Sequence, residues 1–419
     1  MFNGLSTDQA PPISVPFRFF LTAPIFAIII GIIFFIYPIE SIFNRYSNVA
    51  ISLIHLFTLG IMAMVMFGAL QQMLPVLAGV VIKKPILFAN VVHTSLVIGT
   101  LSLSGGFLFS LNILLIIGAI SLFISFGVFL FIVTKLLFKV KYLTSTVNAM
   151  KIFSLVSIIT VMLGLHLVSS YITSNISSVH YSIVNIHIAF GIFGFAFVLI
   201  MGVAFQVVPM FYVARDIPKN IQNKFPRVVF GMLLLFAIFT FFKFDIEVIK
   251  NILSIMAIIF AYYVMVSLNN RRRPVFDITL WYWKLSMISL MVSMMMLILN
   301  MDIYSISIIL IFGFIYSILQ GMVYKIIPFL SWFHLSSKGH FDIPTLREFI
   351  VEFDIKIQFY IYVSAIFCFL LSTQFNQLFL YIGAGLFIVS NLMLLYNMIK
   401  AMKTYNKLSK LDPMAAFKK

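Results

Sequence analysis

The chain has 419 residues, of which 62% are hydrophobic and only 10% are charged, and its formal net charge is +16. Such a composition excludes an ordinary soluble domain and is typical of proteins with long lipid-spanning stretches. The single cysteine, Cys368, excludes an intrachain disulfide and any metal or iron–sulfur site that needs several cysteines.

Twelve apolar segments follow one another along the chain, and each can cross a hydrocarbon core of about 30 Å, which takes about 20 helical residues. They span residues 17–39, 50–77, 86–109, 112–137, 146–171, 181–211, 227–244, 248–268, 278–300, 303–330, 357–374 and 377–400. Every run is continuously apolar instead of alternating, which favours helices over a membrane barrel. The sequence therefore predicts an all-α integral membrane protein in which residues 1–419 form a single transmembrane domain.

Positive charge in the loops lies mostly on one side of these segments, and the opposite side carries only Arg45, Lys243 and Lys250. Because cytoplasmic loops are enriched in Lys and Arg, we expect a bacterial cytoplasmic-membrane protein with both termini in the cytoplasm and residues 401–419 as a basic tail. No basic domain stands apart from the membrane segments, so the charge does not indicate binding to nucleic acid.

The loop at residues 335–356 contains Leu346, Phe349, Ile350 and Phe353 among charged residues. This spacing predicts a short amphipathic helix lying in the cytoplasmic interface of the membrane.

One skeleton occurs in predicted helices 2, 6 and 10: a glycine, a second glycine eight residues on, a polar residue four further and a proline three after that. The copies are Gly60-Gly68-Gln72-Pro75, Gly194-Gly202-Gln206-Pro209 and Gly313-Gly321-Lys325-Pro328. A period of four helices indicates internal duplication. We therefore predict three four-helix units, about 17–137, 146–268 and 278–400, related by a pseudo-threefold axis perpendicular to the membrane. The glycines make a stripe that admits another helix or a flat ligand.

Histidines are the main ionisable side chains inside the predicted helices, where such groups are costly and usually functional. His187 lies in the outer part of helix 6, with Gly191 and Gly194 four and seven residues further on, so its imidazole would have little side chain beside it. This arrangement suits a porphyrin that lies against the helix. Packing or hydrogen bonding between helices is the alternative for a lone intramembrane histidine.

His55, in the outer part of helix 2, is predicted to share a helical face with Met62 and Met66. Imidazole and thioether together suit heme iron or Cu(I), although most of the 23 methionines must serve packing. His166, near the outer end of helix 5, is a third candidate metal ligand at the same depth. No Asp or Glu lies in the middle of a predicted helix, which counts against a proton relay or cation-coupled transport.

The twelve-helix plan, with helices 2, 6 and 10 innermost, and five short segments carry a resemblance to known proteins. The segments are Pro16-Phe-Arg-Phe-Phe20, His55-Leu-Phe-Thr-Leu-Gly60, Gly68-Ala-Leu-Gln-Gln-Met-Leu-Pro75, Gln206-Val-Val-Pro-Met-Phe211 and Lys325-Ile-Ile-Pro-Phe-Leu-Ser-Trp-Phe-His334. The plan resembles subunit I of the heme-copper oxidases and the nitric oxide reductases. More closely, the chain looks like NnrS-type bacterial membrane proteins.

The resemblance implies a low-spin heme ligand at His55 and a copper ligand at His187, with heme b and copper as cofactors. The chain departs from the oxidases, because helix 10 contains no histidine, helix 7 lacks the paired histidines of the copper site, and Gly191 stands where many oxidases have a tyrosine. A complete oxygen or nitric oxide reductase is therefore not expected, and the NnrS-type proteins are the better match.

Three functions stay open at this point. The first is a membrane protein that holds heme b, with or without copper, for electron transfer, heme or copper handling, or relief of nitric oxide stress. The second is a transporter or channel for a neutral or metal substrate that passes along the glycine-lined axis. The third is an assembly factor for a terminal oxidase, with oxidase or other respiratory-chain subunits as partners besides the lipid bilayer.

Overall fold

The computed structural model describes residues 10–141, 144–340, 342–411 and 413, and within these ranges the chain forms helices and turns without a β-strand. In this described part of the chain, twelve helices are long and apolar enough to cross a membrane. They are α1 (Ser14–Ile36), α2 (Asn48–Pro75), α3 (Pro85–Leu108), α4 (Asn112–Phe138), α5 (Ser145–Ile172), α6 (His180–Tyr212), α7 (Lys219–Phe241), α8 (Glu247–Asn269), α9 (Thr279–Ile298), α10 (Ile303–Ser337), α11 (Glu352–Gln374) and α12 (Gln377–Leu408). The predicted class, an all-helical membrane protein with twelve candidate spans, is confirmed.

Side-chain caps fix where several of these helices begin. Ser47 accepts a hydrogen bond from the Ala50 backbone N–H (2.9 Å) at the start of α2. Thr144 and Asp302 cap α5 and α10 in the same way. Each cap satisfies one of the backbone N–H groups that a helix leaves unpaired in its first turn.

One predicted feature of the loops is wrong, and the predicted tail begins inside a helix. α12 continues to Leu408, so the first part of the predicted tail 401–419 is helical, and Tyr405 in it is buried. The amphipathic helix predicted within 335–356 is replaced by turns and bends over residues 345–350, and α11 begins only at Glu352. Phe349 and Ile350 are buried within the protein, whereas Leu346 and Phe353 are exposed, so the four residues do not form one lipid-facing helical stripe.

α2, α6 and α10 are interrupted by π-helical segments, at Leu56–Ala63, Phe190–Phe197 and Ile309–Tyr316. The first glycine of the repeated skeleton is the fifth residue of each segment. π-Helical backbone has i→i+5 hydrogen bonds, is rare, and often occurs at functional sites. The three skeleton copies therefore share a backbone irregularity as well as a residue pattern.

Five skeleton glycines pack against the helix that precedes their own. A Cβ atom added at these glycines would lie far inside van der Waals contact of the neighbouring side chain. The distances are 2.4 Å from Gly60 to Phe26, 2.7 Å from Gly68 to Phe19, 2.0 Å from Gly194 to Val156, 2.4 Å from Gly202 to Ala149 and 2.7 Å from Gly321 to Tyr282. These glycines thus serve close packing of α2 on α1, α6 on α5 and α10 on α9.

Backbone contacts divide the described chain into two compact units. The first comprises the residues up to Met73, Phe276–Ser286 and the residues from Ile311; in it α1 packs against α2 and α12, and α12 packs against α10 and α11. The second comprises Leu74–Val275 and Met287–Leu310; here α3, α4, α5 and α6 pack successively, and α7 packs against α5, α6 and α8. These units do not follow the boundaries of the predicted repeats, and the pseudo-threefold arrangement stays a prediction.

Candidate functional site

His187 of α6 is held by α5, the helix against which α6 packs. Its Nδ1 lies 3.1 Å from the carbonyl oxygen of Thr160. A carbonyl can only accept a hydrogen bond, so in the neutral ring Nδ1 carries the hydrogen and Nε2 carries the lone pair. The ring rests on Gly164, where an added Cβ would lie 3.1 Å from the His187 Cε1. α5 therefore fixes both the tautomer and the position of this imidazole.

His55 of α2 has the same tautomer, which is fixed by a hydrogen bond within its own helix. Its Nδ1 donates to the carbonyl oxygen of Ile51, one turn earlier in α2, at 2.7 Å. His55 is the last residue before the π-helical segment that begins at Leu56, and His187 lies three residues before the segment that begins at Phe190. Both histidines thus sit just ahead of a π-helical segment and present Nε2 as the basic ring nitrogen.

The two glycines predicted to make room beside His187 differ in their surroundings. A Cβ added at Gly191 would meet only Thr160 Cγ2, at 3.9 Å, so there is open space beside this glycine. Gly194 instead lies against Val156, whose Cγ1 would be 2.0 Å from an added Cβ. The role predicted for Gly194 is therefore corrected from ligand space to helix packing.

His166, the predicted third ligand, lies on a different face of α5 from the one that holds His187. Thr160 and Gly164 are four residues apart and share the face under His187, whereas His166 is turned about 160° from Gly164 at about 100° per helical residue. Its side chain is exposed, and its carbonyl accepts a hydrogen bond from Ser169 Oγ at 2.7 Å. The geometry of α5 therefore separates His166 from the His187 imidazole.

Met62 and Met66 are both buried in α2. Their predicted alignment with His55 assumed α-helical spacing, but Met62 lies inside the π-helical segment and Met66 lies beyond it. Because π-helical backbone turns by fewer degrees per residue, the spacings of seven and eleven no longer place them on the face of His55. The shared face of His55, Met62 and Met66 is therefore wrong, and a thioether ligand stays a prediction.

Metal-ligating residues are sparse around these histidines. Among the residues that the structure describes, no three His, Cys, Asp or Glu side chains are grouped so that they could hold a metal ion.

No protein-family model matches the chain, and no curated protein is significantly similar to it. A function for this chain therefore has to be inferred from its own residues.

A buried hydrogen-bond network, which the sequence analysis missed, joins α9, α10, α11 and α12. The Tyr282 hydroxyl donates to Gln358 Oε1, and Gln358 Nε2 donates to Gln320 Oε1 and to Ser390 Oγ, both at 2.7 Å. Nearby pairs are Tyr316 with Asn391 and Tyr324 with Asn397. All of these side chains are buried. Amide side chains inside apolar runs were the available signal, because such groups need partners in a membrane.

Lys325 occupies the polar position of the third skeleton copy, where the other two copies have glutamine. It pairs with Asp277 at the start of α9, and Asp277 also accepts a hydrogen bond from the Thr279 backbone N–H at 2.9 Å. Both charged side chains are largely buried. The pair therefore fastens α10 to the first turn of α9, the helix against which its skeleton glycine packs.

Proposed function

We propose that this chain is a membrane protein that holds a b-type heme through His187 and serves electron transfer. His55, which lies in the other compact unit, is proposed separately as a heme or copper ligand. The observation that supports this best is the fixed imidazole of His187. Metal-ligating histidines almost always donate their other ring N–H to a carbonyl or carboxylate, and the Thr160 carbonyl supplies that partner. His55 is oriented in the same way by the Ile51 carbonyl.

The residues around His187 fit such a ligand. Gly164 leaves the room in which the ring lies, since any larger residue there would push the imidazole away from Thr160. Gly191, one turn beyond His187, has open space beside it. Heme, when bound, supplies one-electron redox chemistry that amino-acid side chains in an apolar setting lack. The protein's part is to hold Nε2 as a neutral donor and to raise its basicity through the Nδ1 hydrogen bond.

The finer architecture belongs to the same proposal. Three four-helix units about a pseudo-threefold axis would explain why the skeleton, the π-helical segment and the packing on the preceding helix recur together in α2, α6 and α10. The loop charges favour cytoplasmic termini in a bacterial cytoplasmic membrane. Since Cys368 is the only cysteine, a Cys368→Ser background allows single loop cysteines to report their side by impermeant labelling.

Purification from heme-replete bacterial cells tests the heme proposal. We expect a Soret band and pyridine-hemochrome heme in the wild-type chain, loss of heme in His187→Ala, and wild-type heme in the control His93→Ala, which removes a histidine from α3. Gly164→Leu keeps the ligand but displaces it, and should lower heme affinity by about tenfold or more, as loss of ligand orientation does. Gly191→Leu should also reduce heme content while leaving the thermal stability of the heme-free protein unchanged.

A heme-free wild-type chain from such cells would refute the proposal, as would equal heme content in His187→Ala, His55→Ala and wild type. Substrate uptake that depends on the two histidines in a heme-free protein would instead favour the transporter hypothesis. Co-purification of oxidase subunits would favour an assembly factor.

A further inference from the structure

Two loops of the second compact unit are tied together at the same end of α6 and α8. The backbone N–H of Arg272, after α8, donates to the carbonyl oxygen of Val213, after α6, at 3.0 Å. The Ser267 hydroxyl of α8 donates to the carbonyl oxygen of Arg215. These bonds bring Arg215 next to Arg271-Arg272-Arg273, although more than 50 residues separate them in sequence. We call these four residues the arginine cluster.

Three of the four guanidinium groups in this cluster have no polar partner among the described residues. Arg215, Arg272 and Arg273 are exposed, and their side chains form no hydrogen bond or ion pair with the residues that the structure describes. Arg271 donates to the Val275 carbonyl at 3.1 Å, which shapes the second loop. The two loops contain the acidic residues Asp216 and Asp277, and Asp277 is already paired with Lys325. The cluster therefore keeps a net positive charge.

The connection between the loops is made at a strained residue. Val213 has φ of 49°, in the left-handed region that β-branched residues rarely adopt. Its carbonyl is the acceptor of the bond from Arg272. Backbone strain of this kind persists only where the surroundings enforce it, and it concentrates at binding sites. The bond from Arg272 therefore belongs to the surroundings that hold Val213 in this conformation, and it joins the two loops that form the cluster.

Apolar side chains are exposed beside the arginines. Met210 in the last turn of α6 is 40% exposed, Val213 is 44% exposed and Val275 is 51% exposed. A surface that joins unpaired guanidinium groups to exposed apolar side chains, at the ends of membrane-crossing helices, matches the two parts of a phospholipid. Guanidinium binds phosphate through two parallel hydrogen bonds, and basic pockets at helix ends bind anionic lipid headgroups.

We propose that the arginine cluster is a binding site for an anionic phospholipid, with Arg215, Arg272 and Arg273 on the phosphate and Met210, Val213 and Val275 against the acyl chains. Asp277 is neutralised by Lys325, so four arginines face only Asp216, and the site suits a lipid with two phosphates, such as cardiolipin, better than a lipid with one. This site is separate from His187 and does not depend on the heme proposal.

Native mass spectrometry and thermal unfolding of the full chain test the site, with cardiolipin, phosphatidylglycerol, phosphatidylcholine or inorganic pyrophosphate added to the detergent-purified protein. We expect retention of cardiolipin and a stability increase that phosphatidylcholine does not give. The variant R215Q/R272Q/R273Q should bind cardiolipin about a hundredfold more weakly, since each basic residue near a membrane surface contributes a few-fold to anionic-lipid affinity. R215K/R272K/R273K keeps the charge and should show an intermediate loss, because lysine lacks the guanidinium fork.

K403Q/K407Q/K410Q is the matched control, because it removes three exposed positive charges from the end of α12. It should retain wild-type cardiolipin affinity. Equal weakening in the control and the cluster variant would overturn the proposal in favour of unspecific charge attraction. Equal affinity in the cluster variant and wild type would overturn it outright. Stabilisation by pyrophosphate as large as that by cardiolipin would show a soluble phosphate ligand instead of a lipid.

Discussion

Gly202→Ala is the sharpest test of the packing between α5 and α6. The added Cβ would lie 2.4 Å from the Ala149 Cβ, whereas carbon atoms in contact prefer about 3.5–4.0 Å. Ala149 is fully buried and has no side-chain rotamer that could relieve the clash. Its Cα would be 3.6 Å from the new atom, so the two helices must move apart by about 1 Å at this point.

The magnitude follows from two opposing effects. Overpacking of a close-packed interior costs about 1–3 kcal/mol. Replacing glycine by alanine within a helix returns about 0.5–1 kcal/mol, because the unfolded chain loses freedom. We therefore expect Gly202→Ala to lower the free energy of unfolding by about 1–2 kcal/mol. Gly231→Ala in α7 is the control: nothing lies within 4 Å of its added Cβ, so only the stabilising effect remains.

Reversible unfolding in mixed detergent micelles measures these differences. The exchange variant A149G/G202A moves one methyl group across the interface and leaves its total volume unchanged. It should lie within about 0.5 kcal/mol of the wild type, because the helix propensities and the packing costs cancel. Wild-type stability in Gly202→Ala, or an exchange variant no more stable than Gly202→Ala, would show that the two helices do not meet at these residues.

Two further predictions concern polar groups. Gln358→Leu removes three buried hydrogen bonds and should lower the free energy of unfolding by about 2–3 kcal/mol, at about 1 kcal/mol for each bond. The control Gln374→Leu, at the exposed end of α11, should change stability little in the same unfolding assay. Equal effects of the two substitutions would contradict the network. Burial alone would raise the pKa of Asp302, but its hydrogen bonds from Ser305 lower that pKa below the ordinary value. Asp302→Ala should therefore cost about 1 kcal/mol at neutral pH. The difference in free energy of unfolding between wild type and Asp302→Ala should be complete above the ordinary Asp pKa of about 3.9 and vanish as the pH falls through the lowered pKa. A difference that does not change with pH would exclude a capping carboxylate.

Hydropathy alone predicted the fold class, because a helix must satisfy its backbone hydrogen bonds within the bilayer and reveals itself as a long apolar run. It also predicted the positions of the twelve spans. The end of α12 was missed because hydropathy marks only the lipid-crossing part of a helix, whereas α12 continues to Leu408 and buries Tyr405 against the protein. The loop at 335–356 was misread because Phe349 and Ile350 have the spacing of a lipid-facing stripe but are buried in the protein.

The candidate site was only partly predictable for a different reason. His55 and His187 were found because an ionisable side chain in an apolar run is conspicuous. Their surroundings were inferred from α-helical periodicity, and the π-helical segments that follow them have no distinguishing composition. The partners of His187, Thr160 and Gly164, belong to another helix, and single-helix periodicity contains no information about which neighbouring residues meet it.

The buried network of α9 to α12 has a consequence for how this protein is made. α9 is the least hydrophobic of the twelve spans, and it enters the bilayer with Tyr282 before the partner Gln358 has been synthesised. Gln358 in turn arrives before Ser390, its partner on α12. Tyr282 and Gln320 therefore gain their partner when α11 arrives, whereas Tyr316 and Tyr324 of α10 gain theirs, Asn391 and Asn397, only with α12. The network is therefore complete only after α12 has entered the membrane, and α10 and α11 depend on α12 to satisfy their buried polar side chains.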